Sequence, residues 1–435
     1  MKTTAISVFA GFSFLGSCDL SNAQSTFNSN SATIYATGGS VIQVNGGMAL
    51  GGTSHLQNEG SVNIATKNNP GTFAINDNSV VQGSGTYRVE QDWLNNSVFT
   101  ANKSTVELNG STPQFIGGTV ATTFHDLQLT GTGTGPNRKK NLLATNASID
   151  ASGILAINDR ELDTDTNTFF VQNTSATCVT NNISLGSEGF VSSTSSGTFS
   201  RETNSSAVYL FPTGSSLGVT RYRPVEITPD FSAANTFTAR LANNDATLDL
   251  CPVSNHSARI ANLNPYFYHK IRHPLGLDHA DVSIFYDPSV DGNYDGMDQW
   301  NVPAPYMWND MSSVSASGSN VNRSDWSDFN QDQFILANEK EPPVIIPNVF
   351  SPDGDGQNDF FAISDANFEA FHIEIFDRWG VKMFESYAAV LAWDGTNLAG
   401  QPVTEGTYFF ILKAITKKTK TDFSKNGFLT LMRKK

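Results

Sequence analysis

Long apolar runs are missing from this chain of 435 residues. Ala5–Leu15 is the strongest one, and it is too short to cross a bilayer, which takes about 20 residues. No later stretch reads as a transmembrane helix. Charge is sparse as well, at 16% of residues, and basic residues are outnumbered, 27 Lys and Arg against 41 Asp and Glu. The net charge of −14 argues against nucleic acid and anionic membrane surfaces as partners, because both reward positive charge. Cysteine is rare: three in the whole chain, Cys18, Cys178 and Cys251, which excludes a disulfide-stapled scaffold. No phosphate-binding Gly-rich loop appears, and Cys178 and Cys251 sit in no nucleophile signature.

What the chain has in plenty is Gly, Ser, Thr and Asn, a composition that reads as β-rich and extracellular. Its first 23 residues have the layout of an export signal. Lys2 is the positive start, Ala5–Leu15 the apolar segment, and Ser21-Asn22-Ala23 puts small residues before a cut between Ala23 and Gln24. A rival reading takes Leu15-Gly16-Ser17-Cys18 as a lipobox with a lipidated Cys18. With the cut at Ala23 the mature chain keeps Cys178 and Cys251, which an oxidising envelope permits to pair as a disulfide or leaves as two buried thiols.

Residues 24–196 carry short units of alternating character: Gly60-Ser61-Val62-Asn63-Ile64, Gly71-Thr72-Phe73-Ala74-Ile75 and Gly85-Thr86-Tyr87-Arg88-Val89. Ser104–Gly110 and Phe124–Thr130 continue the rhythm. No unit buries its apolar face alone, so stacking into a β-helix-like solenoid is predicted, with an irregular sandwich as the alternative. Near Phe190 the strands lengthen. Phe237–Leu241, Val282–Tyr286 and Gln333–Ala337 mark residues 197–338 as a β-sandwich. Residues 339–343, with Pro342 and Pro343, form a stiff linker.

The last segment, 344–435, holds the most specific patterns. Asn348-Val349-Phe350-Ser351-Pro352-Asp353-Gly354-Asp355-Gly356-Gln357-Asn358-Asp359 opens it. Asp377-Arg378-Trp379-Gly380, Trp393-Asp394-Gly395 and Gly406-Thr407-Tyr408 follow in order. Phe371, Ile373 and Ile375 alternate inward against His372 and Glu374, and Tyr408, Phe410 and Leu412 line one face of a central strand. These motifs resemble the gliding-motility-associated C-terminal domain of Bacteroidetes, the type B sorting domain of type IX secretion. The one departure is Asp353, where the family has Asn, and it keeps an oxygen at that place. The resemblance implies an immunoglobulin-like sandwich, recognition by the type IX translocon, and a final position outside the cell or on its outer surface. Lys417, Lys418, Lys420, Lys425, Arg433, Lys434 and Lys435 crowd after Ala414, either as a lysine-blunted strand edge or as a basic tail read by the secretion machinery.

Sites are fewer. Asp291, Asn293, Asp295 and Asp298 give the D-x-N-x-D-G spacing that suits calcium, without the bidentate Glu of an EF-hand. Asp353, Asp355, Asn358 and Asp359 form a second candidate loop, to be set against a Gly-rich turn held by side-chain caps. His269, His273 and His279 have the spacing of a zinc protease, but Lys270 replaces its general base and Pro274 breaks the helix it needs, so no catalytic metal is expected there. Trp300, Trp308 and Trp326 with Tyr294 and Tyr306 offer either a sugar platform or core. The sequence thus reads as an all-β, non-enzymatic surface protein with calcium as the only cofactor in view. Its expected role is adhesive or structural, with extracellular polysaccharide or other surface proteins as partners. The alternative is a polysaccharide-acting enzyme, a lyase or hydrolase on a β-helix, weakened by the few basic residues before Gly197.

Overall fold

Every third strand of the first half lies on the same face, because the chain winds as a coil and each turn contributes one strand to each of three faces. The computed structural model describes residues 26–66, 69–302, 304–312, 314–340, 344–363, 368–387, 391–416 and 422–433. The expected signal segment, its Ala23/Gln24 cut, Cys18, the prolines of the linker and Lys417, Lys418, Lys420, Lys434 and Lys435 lie outside them. The described residues form two compact units, divided between Glu339 and Lys340.

In the first unit an eight-stranded parallel sheet runs from Thr26–Asn30 through Phe73–Ile75 and Gln114–Gly117 to Phe190–Ser192. A second face stacks Val41–Val44, Ser61–Thr66, Thr86–Val89, Thr105–Leu108, Asp126–Leu129, Leu155–Asn158 and Val179–Asn181. Register puts like on like along this face: Ile42, Val62, Tyr87, Val106, Leu127, Leu155 and Val179 form one ladder. Neighbouring strands sit about 4.8 Å apart, so each apolar side chain covers the one below it and only the stack is dry. The Gly-led units follow from the same spacing. A Cβ at Gly85 would lie 2.5 Å from the Gly60 carbonyl oxygen of the turn beneath, too close for any other residue. The unit at Gly71 belongs to a different face from those at Gly60 and Gly85, a distinction their common pattern hides.

The third face changes the architecture. Thr122–Phe124, Ala147–Ile149, Thr168–Val171 and Thr198–Thr203 pair in parallel, and the last of them then pairs antiparallel with Asn235–Ala242. One ten-stranded sheet therefore passes from the solenoid into an antiparallel sandwich, continuing through Tyr268–Leu275, Gln333–Glu339 and Gly296–Asn301. A five-stranded sheet, including Val225–Pro229, Ala280–Phe285 and Asn320–Trp326, contributes the facing residues Val225, Ile227, Val282 and Ile284 to the same core. At the switch, Arg201 takes the inward ladder position after Phe124, Ile149 and Val171. It is fully buried, and burial lowers its pKa. Its guanidinium donates to the carbonyls of Leu210 at 2.7 Å and Ser175 at 3.0 Å, so the end of the solenoid's apolar stack is closed by a hydrogen-bonded cation.

The two cysteines are not brought together. Cys178 is a free, buried thiol beside Arg201, and Cys251 is a free thiol in a separate cluster around Trp308 and Tyr268. The disulfide left open by the sequence is absent because the two residues belong to different cores.

The second unit is a small sandwich. Its main sheet runs Val349–Phe350, Asp422–Leu431, Gly406–Thr416, Phe368–Phe376, Lys382–Ser386. Phe361–Ile363 and Leu391–Trp393 form the opposing pair. Phe371, Ile373, Ile375, Tyr408, Phe410 and Leu412 are buried, while His372 and Glu374 face outward, as their alternation requires.

Candidate functional site

Each motif of the C-terminal unit has a separate structural job. Trp393 is fully buried and packs on Phe350 and Tyr408, with ring centres 5.3 Å apart in both pairs. Its indole N–H donates to the Thr396 carbonyl at 2.7 Å, across a turn capped by the Asp394 carboxylate. Tyr408 is anchored through its hydroxyl to the Thr404 carbonyl at 2.6 Å. These residues build the sandwich. The two remaining motifs, at 353–359 and 377–380, lie outside the core and are exposed.

The 353–359 loop wraps around one carboxylate. Asp359 accepts the N–H groups of Asp353, Gly354 and Gly356 at 3.1, 2.7 and 2.8 Å. The Gly354 contact is the largest of the causes that hold its pKa below the usual carboxylate range. Asp353 and Asp355 cap Asp355 and Gln357 in turn, and the Asn358 carbonyl accepts from Ser351. Carboxylate oxygens of Asp353, Asp355 and Asp359 lie within 4.8 Å of one another. This half of the expected acidic chemistry is gathered in space.

The other half is dispersed. Asp291 ends a one-turn helix, Pro288–Asp291, and its buried carboxylate is held by Arg221 at 3.2 Å and by Arg223. Asn293 points to solvent, Asp295 accepts the Glu339 N–H at 3.0 Å, and Asp298 is buried on the strand Gly296–Asn301. The four residues fall on three different pieces of chain, a helix end, a loop and a strand, and each takes its own partners.

The three histidines also part. His269 and His273 lie on one strand, Tyr268–Leu275. His269 donates from Nε2 to the Arg223 carbonyl at 2.8 Å, and burial pushes its pKa down to about 4. His273 stacks on Phe237 at 4.1 Å and bonds Asn235. His279 meets Asp325 at 2.6 Å, and Asp230 joins that pair to make a grouping invisible in sequence, since strand pairing brings the three together. Of the expected sugar platform, Trp300, Trp308 and Tyr294 are core, and Tyr306 is exposed.

A cleft of about 530 Å³ lies at the junction of solenoid and sandwich, lined by Arg138, Glu188, Tyr222, Arg223 and Asp287. Ser216 also borders it, within Gly214-Ser215-Ser216-Leu217-Gly218. That spelling matches a hydrolase nucleophile elbow. Here it sits at a hairpin, Gly214–Ser215 pairing Arg221–Tyr222, rather than at a strand-to-helix turn.

Residues 344–431 match the family model of the CHU_C type IX secretion signal domain. No curated protein and no solved structure matches the chain. The C-terminal unit is thus a signal for export by type IX secretion, and no helix among the described residues is long and apolar enough to cross a membrane.

Proposed function

We propose that the exported protein serves an adhesive or structural role at the outer surface of a Bacteroidetes cell, with the solenoid as its contact surface. The observation that supports this is the outward ladder Gln43, Asn63, Arg88, Glu107 and Gln128 on adjacent turns. Asn63 donates to Gln43 at 3.3 Å, and Arg88 pairs with Glu107 at 2.9 Å. Rungs about 4.8 Å apart repeat donors and acceptors along a rigid surface, which suits a polymer that binds through many weak contacts. Extracellular polysaccharide is such a partner. Alanine at Asn63, Arg88 and Gln128 together should leave the fold intact, since all three point outward, and reduce retention on the producing cells' insoluble polysaccharide at least tenfold. Retention equal to wild type would refute the role of this face.

A second reading, a polysaccharide-acting enzyme, draws on the cleft that gathers Glu188, Asp287 and Arg138. It requires release of reducing ends from the same polysaccharide, lost on Glu188→Gln or Asp287→Asn.

A further inference from the structure

We propose that the Arg378–Trp379 turn is the contact through which the export machinery reads the C-terminal unit. This rests on that unit's identity as a type IX signal and adds the surface and the partner chemistry. The two tryptophans of the unit have opposite fates: Trp393 is fully buried and Trp379 is 82% exposed. Trp379 is the most exposed aromatic among the described residues of the unit, ahead of Tyr387 at 70% and Phe428 at 60%, and indole left in water forgoes the burial that stabilises Trp393.

The turn is built to hold it out. Asp377 Oδ1 accepts the N–H groups of Trp379 at 2.8 Å and Val381 at 2.9 Å. The Asp377 N–H donates to the Val381 carbonyl at 2.9 Å, and the Gly380 N–H donates to the Asp377 carbonyl at 3.1 Å. Gly380 sits at φ +80°, which glycine adopts without strain. The backbone that carries the indole is therefore held before any partner arrives, and only the side chains remain to be ordered on binding.

Arg378 stands beside it, exposed, and among the described residues its interaction is with the Trp379 ring, 6.0 Å from centroid to guanidinium carbon. A recess of about 280 Å³ adjoins the turn, walled by Met383, Pro402, Val403 and Glu405. Its far wall is tied down by Tyr408 on Thr404 and by Arg433 on the Val403 carbonyl at 3.2 Å. Aromatic and arginine side chains beside a recess are the composition of interface hot spots. Two other exposed apolar residues differ in setting: Tyr387 is stacked on His372 at 4.2 Å, and Leu398 does not line this recess. The partner that fits is a surface of the export machinery with an apolar pocket for the indole and carboxylates on its rim for Arg378.

The test uses the full chain in a type IX-competent host, comparing Trp379→Ala, Arg378→Glu, Arg378→Lys, Leu398→Ala and a chain ending at Lys340. Secreted and periplasmic protein are quantified by immunoblot, and purified variants are melted to check folding. Trp379→Ala and Arg378→Glu should each lower the secreted-to-periplasmic ratio at least tenfold with unchanged melting. Arg378→Lys should keep most of the export, and Leu398→Ala all of it. Wild-type export of both Trp379→Ala and Arg378→Glu, with the truncated chain trapped, overturns this inference alone, as does an equal loss in Leu398→Ala. Export of the truncated chain overturns the signal role itself. If Trp379→Ala fails to fold, the charge pair at Arg378 decides.

Discussion

Replacing Asp298 by Asn is expected to abolish most of the stability loss that the wild-type protein suffers as pH rises from about 4 to 8. Asp298 is paired with Asp310 on one side and Ile335 on the other, in the interior of the ten-stranded sheet. Its side chain is fully buried, and neither carboxylate oxygen has a hydrogen-bond partner. Burial, with Asp310 and Glu339 adding like charge, pushes its pKa up from 3.8 to about 8. The sign follows from proton counts. Between those two values the folded chain holds a proton that the unfolded chain has released, so each pH unit costs about 1.4 kcal/mol of stability. At pH 7, about three units above the unfolded value, the loss is about 4 kcal/mol relative to acid, and above the folded pKa it levels off. Urea denaturation of both proteins at pH 4.5, 6, 7.5 and 9 reads this directly. Parallel pH profiles would sink the assignment, because an Asn at this place cannot ionise.

Trp93→Ala should cost about 3–5 kcal/mol, the range for emptying a packed aromatic site. Trp93 is fully buried at the centre of the solenoid. Its ring centre lies 4.9 Å from those of Phe73 and Phe99 and within 6 Å of Tyr87 and Phe124, and its indole N–H donates to Thr122 at 3.3 Å. These neighbours come from four other strands on successive turns, so the cavity would weaken contact between turns, where a stacked fold draws its cooperativity. Trp93→Phe should recover most of the loss. A cost below about 1 kcal/mol for the alanine variant, measured in the same urea experiment, would show that the solenoid rearranges to fill the site.

The solenoid was legible because its signal is local. Alternation at Val62 and Ile64 or Tyr87 and Val89 names the inward side of each strand without any knowledge of its neighbours. The C-terminal unit was legible for a different reason: its motifs are contiguous, and the turns at Gly380 and Gly395 show in the sequence as glycines between strands. Where the side chains at 291–298 and the three histidines end up was decided by long-range contacts. Asp291 fits a cation loop by spacing, yet its carboxylate is held by Arg221 and Arg223, about 70 residues earlier in the chain. His279 reads as the third member of a histidine set and instead joins Asp230 and Asp325, which strand pairing delivers from either side.

By itself the sequence determined the all-β class, the inward face of the strands that alternate cleanly and the C-terminal type IX signal, since these depend on side-chain periods of two and on unbroken motifs. Tertiary structure alone decided which face of the coil each unit occupies and how parallel pairing turns antiparallel at Thr198–Thr203. It also decided that Cys178 and Cys251 stay apart, that Asp298 is entombed, and that Trp379 is held out while Trp393 is buried. Those outcomes follow from which distant strands supply partners and which exclude water, and neither is written in the spacing of neighbouring residues.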